Sequence, residues 1–365
     1  MKLKKLFAGV VAVAMMATMA MPSFAALSST NTIAADNGIV EITKTYKGTG
    51  FGSETVKLAV DNNGKPTAIT HSSMTTAEKN AAMNNMVISI PADQADGITV
   101  KDTDGTGTLK VKLPSYTRVG TYIYQIHEVE GTTAGMTYDT APRWLVVHVI
   151  NNLAAGDEVA TGLTYKVAMF TADPSTMTEE QLSSAKSGGF TNTYEQGSFT
   201  VTKKVKGNMA DRDKVFNFRV TFTGIDNMTG KIKADGTDIT LKTDGTYDFT
   251  LKHSDDVTFS NIPYGVTATV NELDESGNVI ANTENAKNGS YDVDYDLNQS
   301  VIIGSKTETD AGVKVNAEFA TTITNSSTEN VDTGVILDNA PYMLMLAVVA
   351  GGAMMLVIKK RREEE

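Results

Sequence analysis

The chain of 365 residues has no cysteine, one tryptophan, 4 histidines and 8 prolines. Without cysteine there can be no disulfide, no cysteine-ligated zinc, no iron–sulfur cluster and no thiol nucleophile. His71, His127, His148 and His253 never stand at HxxxH or HExxH spacing, which removes the zinc-hydrolase reading. No Ser/His/Asp constellation can be picked out either, so neither a turnover enzyme nor a metal or other cofactor is expected. Positive charge is also short. Thirty-two Lys and Arg face 43 Asp and Glu for a net charge of −11, whereas a grip on phosphate backbones needs clustered Lys and Arg, so no nucleic-acid partner is expected. What is present, 41% hydrophobic and 21% charged residues, is the composition of a globular protein rather than a disordered one.

The two ends read as signals. Lys2, Lys4 and Lys5 precede an apolar run from Leu6 to Met21, followed by Pro22-Ser23-Phe24-Ala25-Ala26. A basic start, a short apolar stretch and small residues before Ala26 predict a signal peptide over 1–25. At the other end, residues 339–358 carry no charge and Lys359-Lys360-Arg361-Arg362 follow at once. Such a stretch is long enough to cross a hydrocarbon core of about 30 Å, and the basic stop belongs on the cytoplasmic side. Everything between the two signals is therefore expected outside the cell. A secreted chain that lacks disulfides invites another form of crosslink.

Between the ends, apolar residues alternate. Val40, Ile42, Lys44 and Tyr46 share one face, as do Tyr122, Tyr124, Ile126 and Glu128; the same period recurs in 56–60, 109–113, 145–149, 199–205, 216–222 and 266–272. Period-2 segments separated by Gly, Asn and Asp turns predict an all-β fold of two tandem immunoglobulin-like β-sandwich domains, spanning 36–196 and 197–329, with 330–365 as a tail. Two short surface helices are expected, over 75–86 and 178–186, the second with Thr178 and Gln181 at capping-box spacing.

The halves repeat. Ile42-Thr43-Lys44-Thr45-Tyr46-Lys47-Gly48 matches Val201-Thr202-Lys203-Lys204-Val205-Lys206-Gly207, a glycine-led strand ends on Glu128 in one half and Glu272 in the other, and Phe190-Thr191-Asn192 matches Ile323-Thr324-Asn325. Each half thus carries Lys, Glu and Asn in the same order. Both lysines and both glutamates are in phase with apolar neighbours, so they point inward, where Lys and Glu are seldom found. Desolvation pushes an amine down and a carboxyl up, which lets the pair exist as neutral amine and neutral acid. A neutral amine beside an Asn carboxamide can attack its carbonyl carbon, while the protonated Glu polarises the carbonyl and then passes a proton to the departing ammonia. The product is an intramolecular amide, made once.

These residues resemble a known family. The V-x-K-x-(V/Y)-x-G opening strands, the G-x-Y-x-Y-x-I-x-E strand, the F-T-N and I-T-N ends and the terminal architecture are similar to those of Gram-positive major (backbone) pilins of the streptococcal isopeptide-linker type, built of tandem immunoglobulin-like, collagen-adhesin-B-like (CnaB-like) domains. The resemblance implies a Lys44–Asn192 bond assisted by Glu128 and a Lys203–Asn325 bond assisted by Glu272. It also implies a subunit of a cell-surface pilus, with a sortase, further copies of itself, minor pilins and the peptidoglycan wall as partners. In such pilins a sortase cleaves an LPxTG-type pentapeptide between Thr and Gly and joins the Thr to a lysine of the next subunit. The matching stretch is Asn330-Val331-Asp332-Thr333-Gly334, with Asp332 in place of the family's proline. Two fates are open to the tail, a sorting signal cut between Thr333 and Gly334 or a permanent transmembrane anchor of a non-polymerised surface adhesin. Two are open to Lys186 as well, the linking lysine or an ordinary exposed one.

Of the remaining motifs, Gly48-x-Gly50-x-Gly52 is expected to be a turn rather than a phosphate loop. Asp292, Asp294 and Asp296 read as the solvated face of an edge strand. Asn227, Asn288, Asn298 and Asn325 begin N-x-S/T sequons, and at Asn325 the sequon competes with the crosslink.

Overall fold

The computed structural model describes residues 35–327 except 37, 72, 153–161, 310 and 311. The expected signal peptide (1–25), the tail (330–365), its apolar stretch and the Thr333–Gly334 site lie outside the described residues. No helix among the described residues is long and apolar enough to cross a membrane.

Strands dominate, in two tandem immunoglobulin-like sandwiches. In the first, a five-stranded sheet built around Ile39–Lys47 and Gly189–Tyr194 faces a six-stranded sheet that runs through Leu163–Phe170, Arg143–Asn151, Gly120–Val129, Ser53–Val60 and Ile98–Lys101. In the second, a seven-stranded sheet built around Gln196–Lys206 and Glu318–Ser327 faces a four-stranded sheet of Thr246–Leu251, Phe216–Thr223, Thr267–Leu273 and Ser300–Ile302. Each sandwich encloses its own apolar core, one including Val40, Ile42, Tyr124, Ile126 and Val147, the other Phe199, Val201, Phe218, Val220 and Val270. The sequence alternation decides these faces. In Phe216–Thr223, for example, Phe216, Phe218, Val220 and Phe222 are buried and the residues between them are not.

In both sandwiches the first long strand pairs with the last strand, and pairs in parallel. Strands that neighbour at the two extremes of a domain in this way bring the beginning and end of its chain side by side, which is the arrangement a crosslink between them requires.

Both expected helices form. Thr76–Asn85 is capped by Thr75 with Glu78 returning the bond, and Glu179–Ser184 by Thr178 with Gln181. The second ends sooner than expected: Ala185 caps it, and Lys186 instead forms an antiparallel bridge with Phe170 at the edge of the six-stranded sheet. Leu182 and Ala185 close a small second cluster over Ile123, Val146 and Phe170 on that sheet's outer face. The aspartates differ in part from expectation. The strand Tyr291–Tyr295 is flanked by Glu318–Ser327 on one side and by the two-residue strand Lys287–Asn288 on the other. Asp294 is exposed, as expected, and Asp292 pairs with Lys287 at 2.6 Å. Asp296, beyond the strand, accepts from the Thr321 hydroxyl (2.6 Å) and the Thr322 N–H (2.7 Å) and so ties that corner to the last strand.

The glycine turn lies between the sandwiches. Gly48, Gly50 and Gly52 have φ of 94°, 90° and 78°, left-handed conformations that favour glycine. The Gly50 carbonyl accepts from Asn261 Nδ2 (3.1 Å), and the Thr229 hydroxyl accepts from the Ser53 N–H (2.9 Å) and lies 2.7 Å from the Phe51 carbonyl. A Cβ on Gly52 would stand 2.7 Å from the Thr229 carbonyl carbon. Backbone hydrogen bonds also tie the junction: Tyr264 N–H donates to Glu195 O (3.0 Å) and Glu195 N–H to Gly135 O (2.9 Å).

Candidate functional site

Lys44, Glu128 and Asn192 are all fully buried, and so are Lys203, Glu272 and Asn325. The strand pairing places them. In the first sandwich Lys44 lies opposite Phe190 and Asn192 opposite Tyr46. In the second Lys203 lies opposite Ile323 and Asn325 opposite Val205. The offset is the same in both, so each lysine and its asparagine sit on adjacent parallel strands, one pleat apart. The glutamates come from the facing sheet, Glu128 on Gly120–Val129 and Glu272 on Thr267–Leu273.

In the first trio Lys44 Nζ donates to Glu128 Oε2 at 2.5 Å and Asn192 Nδ2 donates to Glu128 Oε1 at 2.5 Å. In the second, Lys203 Nζ donates to Glu272 Oε2 at 2.7 Å and to Asn325 Oδ1, and Asn325 Nδ2 donates to Glu272 Oε1 at 2.7 Å. Aromatic rings wall the amines: Tyr46 is 4.9 Å from Lys44 Nζ, and Phe216 and Phe218 are 4.3 and 5.4 Å from Lys203 Nζ.

Loss of water governs the electrostatics. Burial pulls the Lys44 amine below the usual lysine range, against the opposing pull of Glu128, and pushes the Glu128 carboxyl up. Burial likewise brings Lys203 down to about 8. Both amines are thereby shifted toward the neutral, nucleophilic form.

The geometry differs from expectation in one respect. Each glutamate touches the two nitrogens, the amine and the amide, and not the amide oxygen. In the reaction that the resemblance implies, one carboxyl oxygen would take a proton from the amine and the other would give one to the amide nitrogen. Polarisation of the carbonyl falls to other groups. Asn192 Oδ1 accepts from the Asp139 N–H at 2.9 Å, and Asn325 Oδ1 accepts from Lys203 itself.

Four further residues join the trios. Asn288 is buried and donates to Glu272 Oε1 at 2.6 Å. Both sequons at 288 and 325 are thus enclosed around one carboxyl. Glu54, also buried, accepts from the Thr133 hydroxyl at 2.6 Å and the Tyr138 hydroxyl at 2.8 Å. Its phase with Val56 and Leu58 was a legible signal of an inward carboxylate. Asp139 and Arg143 pair at 2.5 Å beside Asn192; Asp139 lies between strands, where no periodicity marks it. Lys186 is half-buried and stands apart, paired with Phe170 rather than joined to a trio. No cluster of metal-ligating side chains occurs among the described residues.

Residues 40–195 match the family of Spy0128-like isopeptide containing domains, and residues 197–327 match a domain of unknown function, DUF7601. A pilin of Streptococcus pyogenes serotype M1 is 27% identical over 265 residues, which cover 68% of this chain and 71% of that one. Among solved structures, a major pilin from Streptococcus pyogenes matches over 80% of this chain and 99% of that one, at 20% identity and a TM-score of 0.43. The major pilin of serotype GAS13637 matches at 18% identity and the same TM-score of 0.43, over 80% and 99% of the two chains. Residues 40–195 therefore belong to the Spy0128-like isopeptide domain family, and the chain as a whole is similar to a streptococcal pilin.

Proposed function

We propose that the chain is a structural subunit of a Gram-positive cell-surface pilus, stabilised by two self-formed bonds, Lys44–Asn192 and Lys203–Asn325. Glu128 and Glu272 move the protons in a single turnover each. The observation that carries this reading is the repeated trio, with the same strand offset, the same bridging carboxyl and no exposed atom in either half. A buried Lys–Glu pair is a poor source of stability by itself, and its duplication beside a carboxamide is explained by chemistry. Each bond closes most of its domain as a loop. By analogy with disulfides, a loop of about 100 residues contributes on the order of 4–5 kcal/mol by restricting the unfolded chain.

Assembly follows from the ends. After secretion, a sortase cuts between Thr333 and Gly334 and joins Thr333 to Lys186 of the next copy; the finished polymer is attached to peptidoglycan and can carry minor pilins. Lys186 is suited to this by its place on a sheet edge just beyond a short helix. Boiled, detergent-treated surface extract of the native host is expected to give a ladder on gels, and mapping of the polymer a Thr333–Lys186 branched peptide. Another acceptor lysine would remove Lys186 from the account. Asp332, where the family's pentapeptide has proline, favours a second reading, an anchored adhesin with the same domains that never polymerises. That reading predicts a single band.

A further inference from the structure

In an attack of Lys44 on Asn192, negative charge collects on Oδ1, and the bridging glutamate does not reach that atom. We propose that the backbone N–H of Asp139 is the donor that stabilises this oxyanion, with Arg143 as the residue that positions it. The proposal rests on the crosslinking reading above and adds to it a group that no sequence match assigns.

The Asp139 N–H points at Asn192 Oδ1 from 2.9 Å, within the range of an effective oxyanion donor. A backbone N–H can only donate, so the atom facing it is the carbonyl oxygen, and Nδ2 is left facing Glu128 Oε1 at 2.5 Å. The carboxamide is thus gripped at both ends. The donor is itself held. Asp139 Oδ2 accepts from Arg143 Nη2 at 2.5 Å and from the Thr191 N–H, next to Asn192, at 3.1 Å. Arg143 is buried, donates through Nη1 to the Ala141 carbonyl at 2.8 Å and lies 5.0 Å from the Phe190 ring. A donor fixed before the reaction and shielded from water needs no reorganisation as charge develops.

The step balances. The lone pair of neutral Lys44 Nζ forms a bond to Asn192 Cγ, and the carbonyl π pair moves to Oδ1 under the Asp139 N–H. Nζ gives a proton to Glu128 Oε2, and the carboxyl gives its own proton from Oε1 to Nδ2. The Cγ–Nδ2 bond breaks, ammonia leaves and the carbonyl re-forms. A primary amide and an amine have become a secondary amide and ammonia. The second sandwich shows no such backbone donor on Asn325 among its described residues, where Lys203 itself supplies the contact.

The test replaces Asp139 by its α-hydroxy acid in the full-length chain made by cell-free translation, which turns the N–H into an ester oxygen and keeps the side chain. Appearance of the Lys44–Asn192 branched peptide is timed against the Lys203–Asn325 peptide in the same sample. The first bond is expected to form about 100-fold more slowly, the loss typical of one oxyanion donor, with the second unchanged. Equal rates of the first bond in ester and native chains would overturn the proposal. If Trp144 fluorescence shows that the ester chain does not fold, Arg143→Met and Arg143→Lys decide. Slowing in the first and partial recovery in the second, in folded protein, supports the positioning role; native rates in both overturn it. A native chain that yields neither branched peptide defeats the crosslinking reading instead.

Discussion

Lys44 and Lys203 are wholly enclosed among aromatic and aliphatic side chains, in sites where an unpaired ammonium would be driven to lose its proton. Removing only the acid should therefore be worse than removing the whole trio. Glu128→Ala is expected to destabilise the first sandwich by about 3–5 kcal/mol through the orphaned lysine, in addition to the lost bond. The triple variant Lys44→Met, Glu128→Leu, Asn192→Leu also lacks the bond but is expected to escape that penalty; denaturant titration followed by Trp144 fluorescence checks the order. The unreacted second trio gives a pH dependence. Lys203 titrates near 8 in the fold and near 10.5 when unfolded, so between these values the unfolded chain binds more protons and stability rises with pH. Denaturation of Asn325→Ala from pH 8 to 10 is expected to show that rise, and a flat or falling profile would contradict it. At this scale the trios were legible, because period 2 put each Lys and Glu in phase with core residues. Asp139 was not: its role comes from a backbone N–H and a carboxylate brought to Asn192 by a connection without periodicity. Arg143 is in phase with Leu145 and Val147 on its strand, so its inward face was legible but its pairing with Asp139 was not.

The strand pairing turns those side chains into neighbours, and it is the pairing that the sequence left unstated. Alternation tells which face a residue occupies but not which strand lies beside it, so the parallel contact of first and last strands had to come from the structure. The repeated order Lys, Glu, Asn anticipated it, since three inward polar groups are tolerable only together. Register is correspondingly strict. One residue inserted between Thr202 and Lys203 would move Lys203 to the opposite face and is expected to abolish the second ammonia loss while sparing the first. The glycine turn shows the converse limit. It was legible as a turn, but its contacts with Thr229 and Asn261, far along the chain, were not. Gly52→Val places a side chain against the Thr229 backbone in a conformation valine disfavours. Both crosslinks are expected to form in that variant while small-angle scattering shows a loosened junction; an unchanged scattering curve would contradict that role for the turn.

Across the whole molecule, the two bonds would define a single path for force when the folded chain is pulled by its two termini. Tension entering at the first strand then passes from Lys44 to Asn192, through the short connection at Glu195, then from Lys203 to Asn325 and out of the last strand. Residues 45–191 and 204–324 are bypassed and need not unfold under load. Loss of the first bond alone would release the segment between 44 and 192, roughly 500 Å of extended chain, as a step in single-molecule pulling of Glu128→Ala that the native chain lacks. The fold class of the whole was open to the sequence from its alternation and repeat. The ends that would make it a polymer lie outside the described residues. The most direct test of the central claim is the intact mass of the folded protein. The account predicts a chain lighter than its sequence by two molecules of ammonia, with one loss abolished by Glu128→Ala and the other by Glu272→Ala. A mass equal to that of the sequence, after any signal-peptide removal is counted, would contradict it.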